Sequence, residues 1–324
     1  MGDVTNIEWC DSTFNSWEGC QKVGPGCDHC YAETRNARFG GGRAPNWGPE
    51  APRRRTSAAN WQKPIKWNRE AAKFAEKHGR KQRVFCASLA DVFDNAVNPQ
   101  WRADLFDLID ATPNLDWLLL TKRIGNVTQM VEATGRDRLP ENVWLGATVV
   151  NQDEADRDVP KLLETLATVR FLSMEPLLGP VDLRNLRDGH IDALNGIERE
   201  GHIDARMICA VSWVIVGGES GPDARPMHPD WARSLREQCA ISGTQFFMKQ
   251  WGEWAPGECA SKLQTKTEDV ADWVDGRWFH SDITPRMAQE LHRDYEPDVW
   301  RMGKRAAGRL LDGVEHNGFP QVQS

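Results

Sequence analysis

The sequence predicts an α/β protein whose core is a parallel sheet rolled into a full or partial (β/α) barrel. Short, mostly apolar runs recur along the chain, with helical stretches between them. Polar residues gather directly after nearly every run, as they do where the carboxyl ends of barrel strands share one mouth. No glycine fingerprint of the dinucleotide-binding type follows the first run, which ranks the open doubly wound sheet second.

The first 50 residues are rich in Gly, Asn, Trp and Cys and lack periodicity, so they read as a loop-dominated entrance, with a first strand near 12–18. Residues 68–78 read as a helix. The strand-length runs lie at 83–88, 116–121, 143–148, 169–174, 212–217 and 244–249. None alternates strictly, as expected of strands covered on both faces. Helical stretches at 99–110, 124–133, 152–168 and 229–242 separate them. The charged segment 182–210 reads as an insertion. After residue 250 the rhythm stops, which divides the chain into a barrel domain over 1–250 and a C-terminal cap or extension over 251–324. The barrel domain includes the cysteine loop 20–30 and a basic segment over 35–83.

At 324 residues, 40% hydrophobic and 27% charged, the composition is that of a globular protein. No apolar run is long enough to cross a bilayer, and MGDVTNIEWC has neither the basic nor the apolar region of a signal peptide, so the expected location is the cytoplasm. Thiols stay reduced there, which turns attention from disulfides to metals. The net charge of −7 argues against a uniformly basic nucleic-acid binder. From Arg35 to Arg83, however, 14 Lys and Arg face three acids, a local balance of +11. Fifteen tryptophans against two tyrosines is an aromatic choice that composition leaves unexplained.

Three of the eight cysteines crowd into GCQKVGPGCDHC as Cys20, Cys27 and Cys30. Two residues between Cys27 and Cys30 let two thiolates from one turn reach a common metal, and Gly24, Pro25 and Gly26 let the loop fold Cys20 back. Three ligands suit an iron–sulfur cluster with an open iron, whereas Cys10 or His29 as a fourth would make a structural zinc site. The spacing leaves both open.

A cysteine triplet in a loop after the first strand of a partial (β/α) barrel resembles the layout of radical S-adenosylmethionine (SAM) enzymes. Their common spacing has three residues between the first two cysteines, and this chain has six. More narrowly, IEWCDSTFNSWEGCQKVGPGCDHCYAE, FCASLADVF, LLLTKR, WLGATV, FLSMEPLLGP, VIVGGESG, FFMKQWG and KRAAGRLLDG are similar to a family of phage-borne radical-SAM-like proteins. These stretches run from Ile7 to Gly313. The resemblance implies a barrel of the radical SAM type and a [4Fe–4S] cluster on Cys20, Cys27 and Cys30. It also implies an electron from a flavodoxin or ferredoxin, and cleavage of SAM to a 5′-deoxyadenosyl radical.

SAM would need partners for its ammonium, carboxylate, hydroxyls and adenine. The candidates are Ser88, Asp91, Lys122, Thr148, Asn151, Glu175, Gly217, Gly218 and Glu219, all just after a strand or at its end. Helix capping is the competing reading for Ser88, Asp91 and Asn151. Glu175 and Glu219 are also candidate catalytic acids. Cys86, inside a strand, is a candidate hydrogen-atom donor, or else a small buried hydrophobe. Arg123 and Lys249 are candidates for anion contact. In the basic segment, Arg53, Arg54, Arg55, Lys63 and Lys66 alternate with Trp47, Trp61 and Trp67, a pattern suited to phosphates and stacked bases. DNA or RNA is therefore the expected substrate class; if the target is one base in a duplex, it would have to be flipped out to reach the barrel mouth. The alternative is a zinc-stabilised nucleic-acid-binding protein without catalysis.

Overall fold

The computed structural model describes residues 5, 7–200, 204–259, 268–283 and 297–321. In chain order the strands are β1 (Ser12–Thr13), β2 (Trp17–Glu18), β3 (Arg54–Arg55), β4 (Gln82–Cys86), β5 (Leu115–Thr121), β6 (Val143–Thr148) and β7 (Val169–Met174). They continue with β8 (Ile191–Asp192), β9 (Ile197–Glu200), β10 (Asp204–Met207), β11 (Trp213–Gly217) and β12 (Gln245–Gln250). The last are β13 (Trp254–Ala255), β14 (Glu268–Val274), β15 (Arg277–Ile283) and β16 (Val299–Arg301). Seven strands form one sheet in the order β1-β4-β5-β6-β7-β11-β12, and its registered pairs are parallel. Among the described residues β1 and β12 are the edges of that sheet and do not pair. The α/β class and parallel sheet agree with the sequence.

The chain forms two compact units. Unit 1 comprises Met1–Thr148, Arg157–Ser173 and Cys209–Val211, and unit 2 comprises Val149–Asp156, Met174–Ile208 and Ser212–Ser324. In unit 1, β4 and β6 are buried at every position; the apolar run of β6 meets protein on both sides, while β4 opens with the buried Gln82 and Arg83. The helix Pro99–Asp110 starts where expected because Asn98 caps it, accepting from the Gln100 amide at 2.9 Å, and Pro99 occupies the first turn. The run near 12–18 is two strands rather than one. After Thr13 the chain leaves β4, Asn15 Oδ1 accepts from the Leu89 amide at 2.7 Å, and Trp17–Glu18 pairs antiparallel with Arg54–Arg55. The helix expected at 68–78 is Ala71–His78, preceded by a longer one, Ala58–Arg69, that Ser57 caps.

In unit 2 the helix Pro229–Ser242 keeps its expected bounds, with His228 as cap and Gly243 at φ 71° ending it. Segment 182–210 contains a three-stranded antiparallel sheet, and the described part of 251–324 a four-stranded one in the order β13-β16-β14-β15. Ten of the fifteen tryptophans are buried, so most of this unusual aromatic content builds core rather than a stacking platform. No helix among the described residues is long and apolar enough to cross a membrane.

Asp11 anchors the start of β1. Its carboxylate accepts two bonds from Arg80, at 2.7 and 2.9 Å, and one from the Arg83 amide at 2.8 Å. Burial pushes this carboxyl up, but the Arg80 guanidinium and the Arg83 amide more than offset it and hold it below its usual value of 3.8. A lowered carboxyl stabilises the fold above its unfolded pKa, and that contribution is lost as pH falls through the folded value. Asp11→Asn is therefore expected to lower stability by about 1–2 kcal/mol at pH 7, discounted for the part-exposed arginine. The gap from wild type should close below about pH 4, as followed by thermal unfolding across pH. A gap independent of pH would remove the ionic explanation.

Candidate functional site: the thiol loop and the strand ends

In unit 1 the cysteine loop lies beyond the carboxyl ends of β1, β4 and β5. The Gly19 amide donates to the Leu89 carbonyl at 3.1 Å, which lays the loop along the segment after β4. Pro25–Cys27 is one short helical turn, closed by the Cys27 amide on the Gly24 carbonyl at 2.9 Å. Cys30 is the cap residue of helix Tyr31–Phe39, and the Tyr31 hydroxyl donates to the Ser88 carbonyl. The tyrosine after the last cysteine thus ties that end of the loop to the same strand end.

A cation from just after β5 meets one of the thiols. Arg123 donates through Nη1 to Cys20 Sγ at 3.5 Å and through Nη2 to the Gln21 carbonyl at 2.9 Å. Burial pushes the Cys20 thiol up to about 11, with Asp91 adding to the rise and Arg123 opposing it. Burial also raises Cys30, against the pull of the Glu33 and Ala32 amides and the Lys122 ammonium, while the neighbouring Cys27 thiol reinforces the rise. The donor set is chemically suited to an anionic iron–sulfur cluster: three thiols in one short loop, with a guanidinium against one of them. They are not gathered into a finished metal site, however. No group of three or more His, Cys, Asp or Glu among the described residues is arranged to hold a metal ion.

Arg123 belongs to a buried ionic network. Asp91 Oδ2 accepts from Arg123 Nη1 at 3.0 Å and from the Lys122 amide at 3.0 Å, while its Oδ1 accepts from Thr121 Oγ1 and the Phe93 amide. Asp94 takes the Arg53 Nε bond at 2.7 Å with both side chains almost wholly buried, and lies 3.9 Å from Arg123. Asp91 thus shapes the turn after β5 with every lone-pair direction in use. Of the other candidates in this unit, Ser88 Oγ meets Asn15. Thr148 is buried, with a hydroxyl that finds no hydrogen-bond partner among the described residues. Cys86 is fully enclosed in β4, and burial pushes its thiol up to about 12.

The basic segment is largely engaged inside unit 1. Besides Arg53–Asp94, Arg54 pairs with Glu18, and Arg55 pairs with Asp104 at 2.5 Å while lying 4.3 Å from the centre of the Trp61 ring. Trp61 also packs edge-on against Phe14. Lys63 is half-buried, whereas Lys66, Arg69, Lys73 and Lys77 are exposed along consecutive helices.

In unit 2, Glu175 pairs with Lys249 at 2.9 Å, and the carboxylate lies so close over Gly217 that an added Cβ would collide with Oε1. Gly218 and Gly252 are glycine for a related reason, since a Cβ on either would enter the backbone of the other strand-end segment. The Gly-Gly pair therefore serves backbone packing against Trp251–Gly252. Glu219 is buried and held by Arg225, whose Nε and Nη2 donate at 2.9 and 2.7 Å, with its amide at 2.8 Å. Asn151 caps the helix Gln152–Glu164, accepting from the Glu154 amide at 3.0 Å while Glu154 reaches back to the Val150 amide. A cavity of about 570 Å³ in this unit is lined by His228, Asp230, Arg233, Glu258 and Asp298 among others, none of them a predicted site residue.

Sequence reading missed Tyr31, Asp94 and Arg225. Tyr31 sits directly after the last cysteine, which is a usable signal. Asp94 and its partner Arg53 lie 41 residues apart, and no spacing rule connects them.

Fold and site together define an α/β protein with a parallel sheet and a three-thiol loop at the carboxyl ends of its strands. The chain belongs to the family described as Protein of unknown function (DUF5131), whose model matches residues 4–320. No curated protein matches it. One solved structure that resembles it is spore photoproduct lyase complexed with dinucleoside spore photoproduct. That likeness has a TM-score of 0.36 and 13% identity over 90% of this chain and 76% of the other, and at that level it transfers nothing.

Proposed function

We propose that this chain is a radical SAM enzyme that holds a [4Fe–4S] cluster through Cys20, Cys27 and Cys30 and acts on a nucleic acid. The observation that carries this reading is the placement of the three thiols beyond the carboxyl ends of β1, β4 and β5, with Arg123 against Cys20. Parallel sheets bind their ligands at that end. When bound, such a cluster supplies one electron to SAM, which yields methionine and a 5′-deoxyadenosyl radical able to take a hydrogen atom from a substrate.

The chain's own residues would hold and shield. Lys122, Ser88 and Thr148 are the proposed cofactor contacts, each with a polar group at a strand end of unit 1. Asp91, Asn151 and Glu219 hold local structure through the bonds described above, and Gly217 and Gly218 permit close backbone approach. Cys86 keeps its proton inside the sheet, where a hydrogen atom could be delivered only to a radical that reached the core. Exposed Lys66, Arg69, Lys73 and Lys77 support a polyanionic substrate better than the buried Arg53 does. A reduced flavodoxin or ferredoxin is the proposed electron source.

The test is anaerobic purification with iron and sulfide quantitation, dithionite bleaching of the visible absorption, and 5′-deoxyadenosine release from SAM with and without oligonucleotides. Iron, bleaching and nucleoside together support the proposal. One tightly bound zinc without iron would replace it with a structural metal site.

A further inference from the structure

We infer that the outer face of helix Tyr31–Phe39, together with Arg43 just after it, is a docking track for single-stranded nucleic acid; this deepens the proposed function and rests on it for the class of substrate. The helix buries Ala32 and Asn36 and turns Tyr31, Arg35, Arg38 and Phe39 the other way. At 3.6 residues per turn these four fall within about 100° of arc, so they form one stripe. Tyr31 is 61% exposed and Phe39 75%. An exposed phenylalanine alone would be ordinary, but this one is set among guanidinium groups. Arg35 lies 5.1 Å from the centre of its ring, and Arg38 is exposed beside it.

The turn after the helix returns a further cation to the same place. Asn36 Nδ2 donates to Asn46 Oδ1 at 3.2 Å, and the Asn46 amide donates to Asn36 Oδ1 at 3.3 Å. The chain between them passes so close that an added Cβ on Gly40 would strike the Arg43 carbonyl. Arg35 reaches Glu18 at 3.6 Å, whereas Arg38 and Arg43 pair with no acid among the described residues. They differ in this from Arg53, Arg54 and Arg55, whose charge is met inside the fold. Cations that neutralise phosphates, beside aromatic faces on which unpaired bases stack, are what a single strand requires. A duplex keeps its base faces covered and could use only the charge. The inner end of the stripe is fixed, because the Tyr31 hydroxyl donates to the Ser88 carbonyl just beyond β4. From there the helix carries the stripe outward for about 12 Å.

The measurement is fluorescence anisotropy of a short labelled oligodeoxynucleotide, single-stranded and as duplex, titrated with the full chain across a salt series. The wild-type chain should bind the single strand more tightly than the duplex. Phe39→Ser should weaken single-strand binding by about fivefold or more, and Phe39→Trp should retain it. Arg38→Gln combined with Arg43→Gln should reduce the salt slope by about 1.4, for two phosphate contacts. All these side chains are exposed, so circular dichroism should show the variants folded. Variants that bind like wild type overturn this inference and leave the proposed function standing, with the strand docked elsewhere. Dimerisation of the wild type that Phe39→Ser abolishes, with oligonucleotide binding unchanged, overturns it in favour of a second copy of the chain. A wild-type chain that binds no oligonucleotide removes both this inference and the nucleic-acid substrate. Iron-free chain that shows the expected pattern supports the track while the cluster reading fails.

Discussion

Replacing Cys27 by serine is expected to lower the iron bound per chain at least tenfold while leaving the fold in place. Cys27 is buried in the short Pro25–Cys27 turn, whose closing bond is made by backbone, the Cys27 amide on the Gly24 carbonyl. Serine preserves that turn and nearly the same volume, so the cost to folding is about 1–2 kcal/mol for a buried hydroxyl in place of a thiol. A serine oxygen is a poor ligand for a cluster that selects soft thiolates, so metal loading carries nearly all of the effect. Iron assay and circular dichroism on matched anaerobic preparations separate the two. Retention of iron at wild-type levels would show that Cys27 is not a ligand. Loss of the folded N-terminal region together with a single zinc would identify a structural metal instead.

Asp94→Ala is expected to destabilise the protein by about 3–5 kcal/mol, because it strands Arg53 as a buried charge. The Arg53 and Asp94 side chains are 1% and 0% exposed, joined at 2.7 Å, and Arg53 Nη1 donates to the carbonyls of Asn46, Gly48 and Ala51. Removing the carboxylate leaves a guanidinium that cannot recover its hydration. The double variant Arg53→Met with Asp94→Leu should recover most of the loss, since a buried ion pair is often no more stabilising than apolar side chains of similar volume. Chemical denaturation of the four proteins in the cycle measures the coupling. A single-variant loss below about 1 kcal/mol would mean that water or another acid reaches Arg53.

Local signals were readable wherever the chain supplies its own punctuation. The helices Pro99–Asp110 and Pro229–Ser242 start at a capping side chain followed by proline, and the second ends at a left-handed glycine. The buried strands were equally plain, because a strand covered on both faces reads as a continuous apolar run. The stretch near 12–18 was harder. Asn15 offers a side-chain oxygen to the Leu89 amide, and the chain then turns to a different partner strand, which composition does not signal.

For the candidate site, the three cysteines were legible as a set because ligand spacing is a local property of one loop. The roles of the charged residues were not. Arg53, Arg54 and Arg55 read as a basic patch beside tryptophans, yet their acids come from Asp94, Glu18 and Asp104. Gly217 and Gly218 read as room for a ligand, and the room is filled by Glu175 and by the Trp251 backbone.

By itself the sequence determined the α/β class, the six main strand runs with the helices between them, and the thiol triplet, because apolar period, caps and ligand spacing are written within a few residues of one another. Only the tertiary structure decided which charges are neutralised internally, which glycines serve packing, and that Arg123 faces Cys20 across 103 residues of chain. Charge and hydrogen-bond energies fall off within a few ångströms, so a side chain's role depends on its neighbours in space, and those neighbours are set by how the strands assemble.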